Sequence, residues 1–447
     1  MKKYIGDKYF YLNTLRLAIP CALSQLLISC SSIIDSIMVS SIGMVTAVGN
    51  ARNVLMLRDY VSWGIEAGVI AFASQFFGAK EYKNMAKSQG ACFVLNIFIS
   101  LILILCTFSI GDKLLLFYLD DLTILSDSLI YLKYVAISLI PLCLTMSIKC
   151  MFTAMHETKV TFIESLFYVA INIISKYVCI YVLKLGIVGV GIGTLVTECV
   201  CCFGFTIYAL IKKPVFFTGL KDMFSFDFSF IKTLVMKILP IASDEILFGF
   251  GQSLFNKAYG MLGSSSVEAV YIASEVLSLM MFVSWGYGEA VQISVATKLG
   301  RGRIEEAKEE SRYHLLLSLI VGIVLGSCLV FGGPFFLNLY SVSDPHIYNV
   351  CQGLLIAYGV KVLLRTVNYV MFCTLKAGGD TKVYNILDSG IMFAVGIPIA
   401  FISAYLGASN IILVVLLCQI EQLIRLFFTI KRYNSYKWAN NLTKLVH

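Results

Sequence analysis

Charge is what this chain has least of. Only 14% of its 447 residues are Asp, Glu, Lys or Arg, where a soluble globular protein carries about 25%. With 58% apolar residues and a mean hydropathy of +0.84, an ordinary water-soluble domain is excluded. Histidine is scarcer still. There are four, none spaced as metal ligands, and no HExxH helix, nucleophile elbow or phosphate loop occurs, so an intramembrane enzyme is the weakest reading. Short alternating strands are missing too, which excludes a β-barrel. Fourteen cysteines are present, most of them inside apolar runs where a thiol acts as a small hydrophobe. The cluster Cys199, Cys201, Cys202 lacks zinc-site spacing and a nearby histidine.

What remains is a succession of apolar runs long enough to cross roughly 30 Å of hydrocarbon as helices. The expected fold is an all-α polytopic membrane protein with twelve spans. They are placed near 12–40, 47–76, 88–111, 124–150, 160–184, 188–211, 231–261, 267–297, 311–337, 347–375, 383–406 and 410–433. The first apolar run is too long for a signal peptide and has no small-residue cleavage pattern, so it stays as span 1. Basic residues gather in alternate connections, including Lys2, Lys3 and Lys8, Lys80, Lys83 and Lys87, Lys149 and Lys159, Lys298, Arg301 and Arg303, and Lys431 and Arg432. The intervening connections are nearly bare, with no Lys or Arg in the turns near 263, 340 and 407. The positive-inside rule then predicts a multi-pass protein of the cell membrane with both termini cytoplasmic. The net charge of +8 reflects this topology and contact with anionic lipid, not nucleic-acid binding.

The runs are written twice. Pro20 and Gly43 bracket one apolar segment, Pro240 and Gly263 bracket a second, and the offset of 220 also places Met151-Phe152 on Met371-Phe372. Three extra residues then precede a shared Thr-Lys-Val. Two six-span lobes are expected, 1–212 and 231–447, joined by a cytoplasmic linker at 213–230. Six is even, so the lobes form a parallel repeat with a cleft between them, as in transporters. After spans 2 and 8 come SQFFGAKEYKNMAK and ATKLGRGRIEEAKE, read as a glycine ending a long helix and then a short basic amphipathic helix.

Four stretches carry a resemblance: LAIPCALSQLL with IIDSIMVSSIG in span 1, FFGAKEYKNMAK after span 2, LGIVGVGIGTLVTE entering span 6, and LKAGGDTKVYNILDSGIMFAVGIPIA around spans 10 and 11. The chain resembles the multidrug and toxic compound extrusion (MATE) transporters, within the larger group that includes lipid-linked oligosaccharide flippases. The resemblance implies two six-helix lobes forming a V. It also implies antiport, in which amphiphilic, often cationic, drugs leave as sodium or protons enter by alternating access. Partners would then be a small amphiphilic substrate and membrane lipid, with no cofactor beyond the coupling ion and a monomer as the working form. The alternative is a flippase for a lipid-linked precursor, which needs a lumen rich in Arg and Lys.

Each charge at mid-bilayer costs about 3 kcal/mol and needs a reason. In span 1, Ser24, Ser31 and Asp35 share one helical face. Asp35 could bind sodium through hard oxygens, carry a proton, or pair with a lysine for structure. Asn172 and Lys176 lie one turn apart in span 5 as its expected partners. By resemblance, Asp35 and Asn172 fall on the amino-lobe cation site. Lys176 departs from that pattern, since relatives usually have Asn or Asp there. Span 7 is the copy of span 1, in which Gln25, Ser32 and Ser36 become Glu245, Gln252 and Asn256 while Asp35 becomes Phe255. Glu245, Gln252 and Asn256 again share one face, with Asp244 adjacent, and are expected to contact a cation or a cationic substrate. Glu66, Glu198, Lys257, Glu275, Glu289, Lys361, Arg365 and Asp388 are expected in inter-helix pairs, unless Asp388 only caps or anchors span 11, and Glu421 is expected to pair with Arg425. Pro20, Pro141, Pro240 and Pro398 should kink their helices. Met146, Met151, Phe248, Met280, Met281, Phe282 and Trp285 could line an adaptable cavity or simply pack.

Overall fold

The structure, a computed structural model, describes residues 5–119, 121–339, 344–407 and 410–445. Lys2, Lys3 and the turn near 340 lie outside the described residues. Among the described residues all regular structure is helical. The first half comprises α1 (Lys8–Ser40), α2 (Val45–Ala79), α3 (Tyr82–Tyr118), α4 (Leu122–Ala154), α5 (Thr158–Tyr177) and α6 (Gly186–Lys212). After a short α7 (Leu220–Met223), the second half comprises α8 (Phe228–Gly260), α9 (Ser264–Gly300), α10 (Ile304–Leu339) and α11 (Pro345–Ala377). It ends with α12 (Thr381–Asn385), α13 (Ile397–Tyr405), α14 (Ile411–Cys418) and α15 (Ile420–Asn434).

Two of the expected spans are composite. One runs from α12 through two π turns, Ile386–Gly390 and Met392–Gly396, into α13, and the other joins α14 to α15. A third π turn, Val178–Val182, extends α5. Among the described residues, ten spans are apolar enough to cross a membrane by length and composition. The two other long helices, α2 and α8, carry several charges within their length. Arg52, Arg58, Asp59 and Glu66 lie in α2, and Asp244, Glu245 and Lys257 lie in α8.

Helix ends follow local chemistry. Asp121, Asp344 and Asn410 cap α4, α11 and α14 by accepting backbone N–H groups at 2.8, 2.7 and 3.0 Å. One expectation fails at the end of α2. Gly78 lies inside the helix, and Lys80 takes the left-handed turn at φ 63°. The short amphipathic helices expected after spans 2 and 8 are not separate either. The basic stretches form the first turns of α3 and α10, because no proline interrupts them before the apolar run begins. Proline does lie inside α1, α4, α8 and α10, the last being Pro334.

Contacts gather the chain into two compact units. One contains Leu23–Ala242. The other contains the described residues up to Ala22 together with Ser243–Leu445. Both breakpoints fall inside a helix, two residues after Pro20 and Pro240, so α1 and α8 are divided at equivalent positions of the repeat. The packing at these positions is equivalent as well. Within one unit, Ala242 of α8 crosses α2 at Gly64, and within the other, Ala22 of α1 crosses α9 at Gly286. A Cβ on either glycine would stand 2.3 Å from backbone, so only glycine permits these crossings. Around them lie separate apolar cores, Val54, Leu115, Leu132 and Val190 in one unit and Val276, Leu329, Leu354 and Val414 in the other. The chain ends as a tail folded onto the second core, where Trp438 is fully buried and donates its indole N–H to the Tyr433 carbonyl at 2.9 Å.

Overpacking a tight contact costs about 1–3 kcal/mol. Gly64→Val and Gly286→Val are each expected to lower the unfolding temperature of the purified protein in detergent. Gly49→Ala is expected to leave it unchanged or slightly raised, because a Cβ at Gly49 meets nothing within 4 Å.

Candidate functional site

Within the Leu23–Ala242 unit, α1 and α5 bring Asp35, Asn172 and Lys176 together. The Lys176 ammonium lies 2.7 Å from Asp35 Oδ2. The Asn172 amide donates to Asp35 Oδ1 at 3.0 Å and to Ser31 Oγ at 2.9 Å. Asn172 and Lys176 are buried, while the Asp35 side chain is 19% exposed. Lys176 is fixed from behind by α6, where Gly193 has no side chain and sits against the lysine's backbone and Cγ. The carboxylate is therefore satisfied on one oxygen by an ammonium and on the other by an amide. Ser24 shares the buried face of α1, but its hydroxyl has no hydrogen-bond partner.

Below this pair, α5 carries two more polar residues at the same four-residue spacing. Tyr168 lies beside Glu198 of α6. The Lys149 ammonium of α4 lies 2.9 Å from Glu164 Oε2 as an ion pair, and it donates to Ser165 at 3.1 Å. On α2, Arg58 is buried and donates to Ser100 at 3.1 Å, to Asp59 at 3.1 Å and to Cys143 at 3.5 Å.

The second unit has its own polar centre, built differently. Asp388 lies in the first π turn and accepts both arms of Arg365 from α11, at 2.5 and 3.0 Å. Arg425 of α15 donates to the backbone carbonyls of Asp388 and Leu387 at 2.8 and 3.2 Å, and lies 3.4 Å from the Asp388 carboxylate. Asp388 is thus a buried hub two turns inside its span, not a cap. Arg425 serves it more closely than it serves Glu421, at 3.8 Å. Glu421 also accepts the Gln422 amide at 2.8 Å, and Asn368 donates to the Gln422 carbonyl at 3.1 Å. Asp244 of α8 closes the centre by accepting Tyr384 Oη, Ser389 N at 3.1 Å and Ser389 Oγ at 2.5 Å.

The four residues expected along α8 therefore do not act as one group. Asp244, taken from the sequence only as a neighbour, is the buried member. Glu245 and Gln252 are half-buried, Asn256 is exposed, and among the described residues no hydrogen bond or ion pair joins these three. The role of Ser389 has no signal in sequence periodicity because it lies within a π turn, and that of Tyr384 has none because its partner, Asp244, is on another helix. The Lys149–Glu164 and Tyr168–Glu198 contacts were legible in part, since Glu164, Tyr168, Asn172 and Lys176 recur every four residues. Phe248, expected as a cavity or packing residue, places its ring 5.3 Å from the Arg365 guanidinium. Met281 is buried in the second core, with Met280 and Trp285 against it. No three His, Cys, Asp or Glu side chains come together as a metal site among the described residues.

Comparison with known proteins agrees with the architecture. The MatE family model matches residues 20–178 and again 240–402, two stretches whose starts are 220 residues apart. The chain is 24% identical to a probable multidrug resistance protein NorM of Haemophilus ducreyi, over 87% of this chain and 85% of that one. It is 22% identical to the uncharacterized transporter YisQ of Bacillus subtilis, over 82% of each. A solved transporter from Pyrococcus furiosus, described as a MOP superfamily member with a reverse-polarity binding pocket, superimposes over 98% of both chains with a TM-score of 0.84 at 17% identity. With a doubled helical plan and a family match in each half, the chain belongs to the MatE family of multidrug efflux transporters.

Proposed function

We propose that this chain exports small amphiphilic cations in exchange for protons by alternating access, with Asp35 and Lys176 as the coupling pair. The observation that carries this reading is the 2.7 Å contact between the two side chains, one of them buried, on helices otherwise lined with hydrocarbon. A proton on Asp35 removes the negative partner and leaves the ammonium alone, which changes what the site attracts. The pair is neutral when Asp35 is ionised and net positive when it is protonated, so a proton there repels an organic cation in the same cavity, and that opposition is exchange.

Sodium fits this site less well. A sodium ion would need the oxygens of Asp35, Ser31 and Asn172, yet Lys176 already supplies a positive charge to Asp35, and the Asn172 amide nitrogen faces the other two. The flippase reading needs arginine and lysine free to hold a pyrophosphate. Arg365 and Arg425 are committed to Asp388 and its backbone, and Lys376 is buried over the rings of Tyr369 and Tyr384. The second centre, including Asp244, is read as a structural lock near the substrate-facing residues Glu245 and Gln252 of α8. By the positive-inside rule, the connections carrying Lys80, Lys83, Lys159, Arg301 and Arg303 face the cytoplasm, with lobes 1–212 and 231–447 joined there by 213–230. The working form is a monomer.

Asp35→Asn is expected to abolish ethidium export from proteoliposomes under an imposed pH gradient, with the elution profile of folded protein unchanged. Wild-type export by that variant overturns the reading. Lys176→Asn is expected to introduce stimulation by sodium at fixed pH, which the wild type lacks. Breaking a buried ion pair on one side costs about 3–5 kcal/mol. Asp388→Asn should therefore unfold well below the wild type, and Arg365→Met combined with Asp388→Asn should recover part of that loss in a double-mutant cycle.

A further inference from the structure

Along α5, four polar side chains stand at intervals of four residues: Glu164, Tyr168, Asn172 and Lys176. A spacing of four keeps them on one slowly drifting face, and the twelve residues rise about 18 Å. Each rung has a partner from another helix. Lys176 and Asn172 meet Asp35 of α1, Tyr168 meets Glu198 of α6, and Glu164 meets Lys149 of α4. The stripe starts at the proposed coupling pair. It ends at Lys149, whose side chain is 20% exposed and lies five residues before the end of α4, next to the connection that carries Lys159.

Three buried oxygens along this stripe lack the hydrogen bond that such atoms almost always have, one of them Glu164 Oε2, which faces the Lys149 ammonium at 2.9 Å. The other two, Glu198 Oε2 and Asn172 Oδ1, are enclosed and have no hydrogen-bond partner, although their residues are only 5% and 1% exposed. Such atoms in a polar site are normally satisfied by ordered water. One lies beside Tyr168 and the other beside Asp35, so water there would fill the gaps between rungs.

The repeat provides an internal control for whether the fold needs these residues. Aligned on the shared Thr-Lys-Val, the second copy places Leu387, Ile391, Val395 and Ile399 where the first has Glu164, Tyr168, Asn172 and Lys176. Allowing for the residue that a π turn inserts, the matching positions become Asp388, Met392, Gly396 and Ala400. In that register the lowest rung survives as the Arg365–Asp388 pair, while the upper three are apolar in either register. A helix of this architecture therefore packs without the stripe.

We propose that Glu164, Tyr168 and Glu198 form, with intervening water, a proton path from the Asp35–Lys176 pair to the cytoplasmic end of the bundle at Lys149. It rests on the reading of Asp35 as the coupling carboxylate and adds the route by which its proton leaves. A proton released from Asp35 crosses water to Glu198. Tyr168 accepts a proton from that carboxyl as its own O–H bond to hydrogen breaks toward Glu164, and Glu164 gives its proton to water beside Lys149. Each hop breaks one bond to hydrogen and forms another, so no other reactant is needed. Other charged or titratable groups facing the path are Arg52 and Arg58 from α2 and Cys201 from α6. Arg58 is already committed to Ser100, Asp59 and Cys143.

The test uses the full chain in proteoliposomes containing a pH-sensitive dye, with ethidium as the exported cation. Proton flux driven by ethidium and ethidium affinity are measured together for the wild type, Asp35→Asn, Glu198→Gln, Glu198→Asp and Tyr168→Phe. Removing a proton-transfer group is expected to lower the flux of Glu198→Gln and Tyr168→Phe by about tenfold or more, with ethidium affinity kept and Glu198→Asp partly restored. No ethidium-driven flux in the wild type, or full flux in Asp35→Asn, overturns the coupling reading and the path together. Loss in Asp35→Asn with undiminished flux in both Glu198→Gln and Tyr168→Phe overturns the path alone. So does a loss of flux that is matched by a loss of ethidium affinity or of folded protein, because a packing role would produce that pattern.

Discussion

A charged side chain placed in hydrocarbon must find a partner of opposite charge, enough hydrogen bonds, or water. That requirement governs both polar centres of this protein, and each meets it differently. In the second unit the solution is closure. Asp388 receives two guanidinium arms from Arg365 and a third approach from Arg425, and Asp244 receives a tyrosine, a serine and a backbone amide. In the first unit the solution is open-ended. Asp35 has one ammonium and one amide, and nearby buried oxygens of Asn172 and Glu198 are left for water. A closed centre resists change of protonation, and an open one permits it.

The duplicated scaffold makes this contrast informative. The same helix crossing recurs at Gly64 with Ala242 and at Gly286 with Ala22, and the compact units divide α1 and α8 at matching positions. Backbone architecture is thus kept between the copies while the buried chemistry is not. Asp35 becomes Phe255, and the upper three rungs of the α5 stripe become apolar. Selection on packing alone would accept the apolar version in both halves, since a buried ion pair is often no more stabilising than hydrocarbon of the same volume. The polar version in one half needs a different reason, and ion movement supplies one.

Much of the fold was legible because hydrocarbon imposes simple rules. Long apolar runs, an offset of 220 and loop lysines led to twelve spans in a doubled plan. The amino-half trio of Asp35, Asn172 and Lys176 was legible for a related reason, since regular helices keep residues three or four apart on one face. Sequence reading failed where the helix is irregular. Asp388 and Ser389 lie within the π turn Ile386–Gly390, where the wider turn breaks the regular period; there Asp388 is a buried hub two turns inside its span, and Ser389 reaches Asp244. On α8, the residues grouped by period, Glu245, Gln252 and Asn256, proved less buried than Asp244 beside them, because partners on other helices decide which side of a polar pair is enclosed. The buried tail around Trp438 was missed because nothing local marks a segment that is ordered only by its packing against distant residues.

The presence of Lys176 also bears on the size of the switch. Two unit charges about 4 Å apart at an effective dielectric constant near 20 attract by about 4 kcal/mol. Moving a two-state equilibrium from one part in a hundred to its reverse takes about 5.5 kcal/mol. Cancelling one such attraction by protonation therefore supplies energy of the order a conformational switch requires. A tethered ammonium differs from a free ion in one further respect. It cannot leave, so a protonated Asp35 leaves a net positive charge behind, and that charge repels an organic cation instead of holding it. In the proposed exchange, proton entry would favour release of the exported cation and proton departure would favour capture of the next one, both through the electrostatics of a single pair.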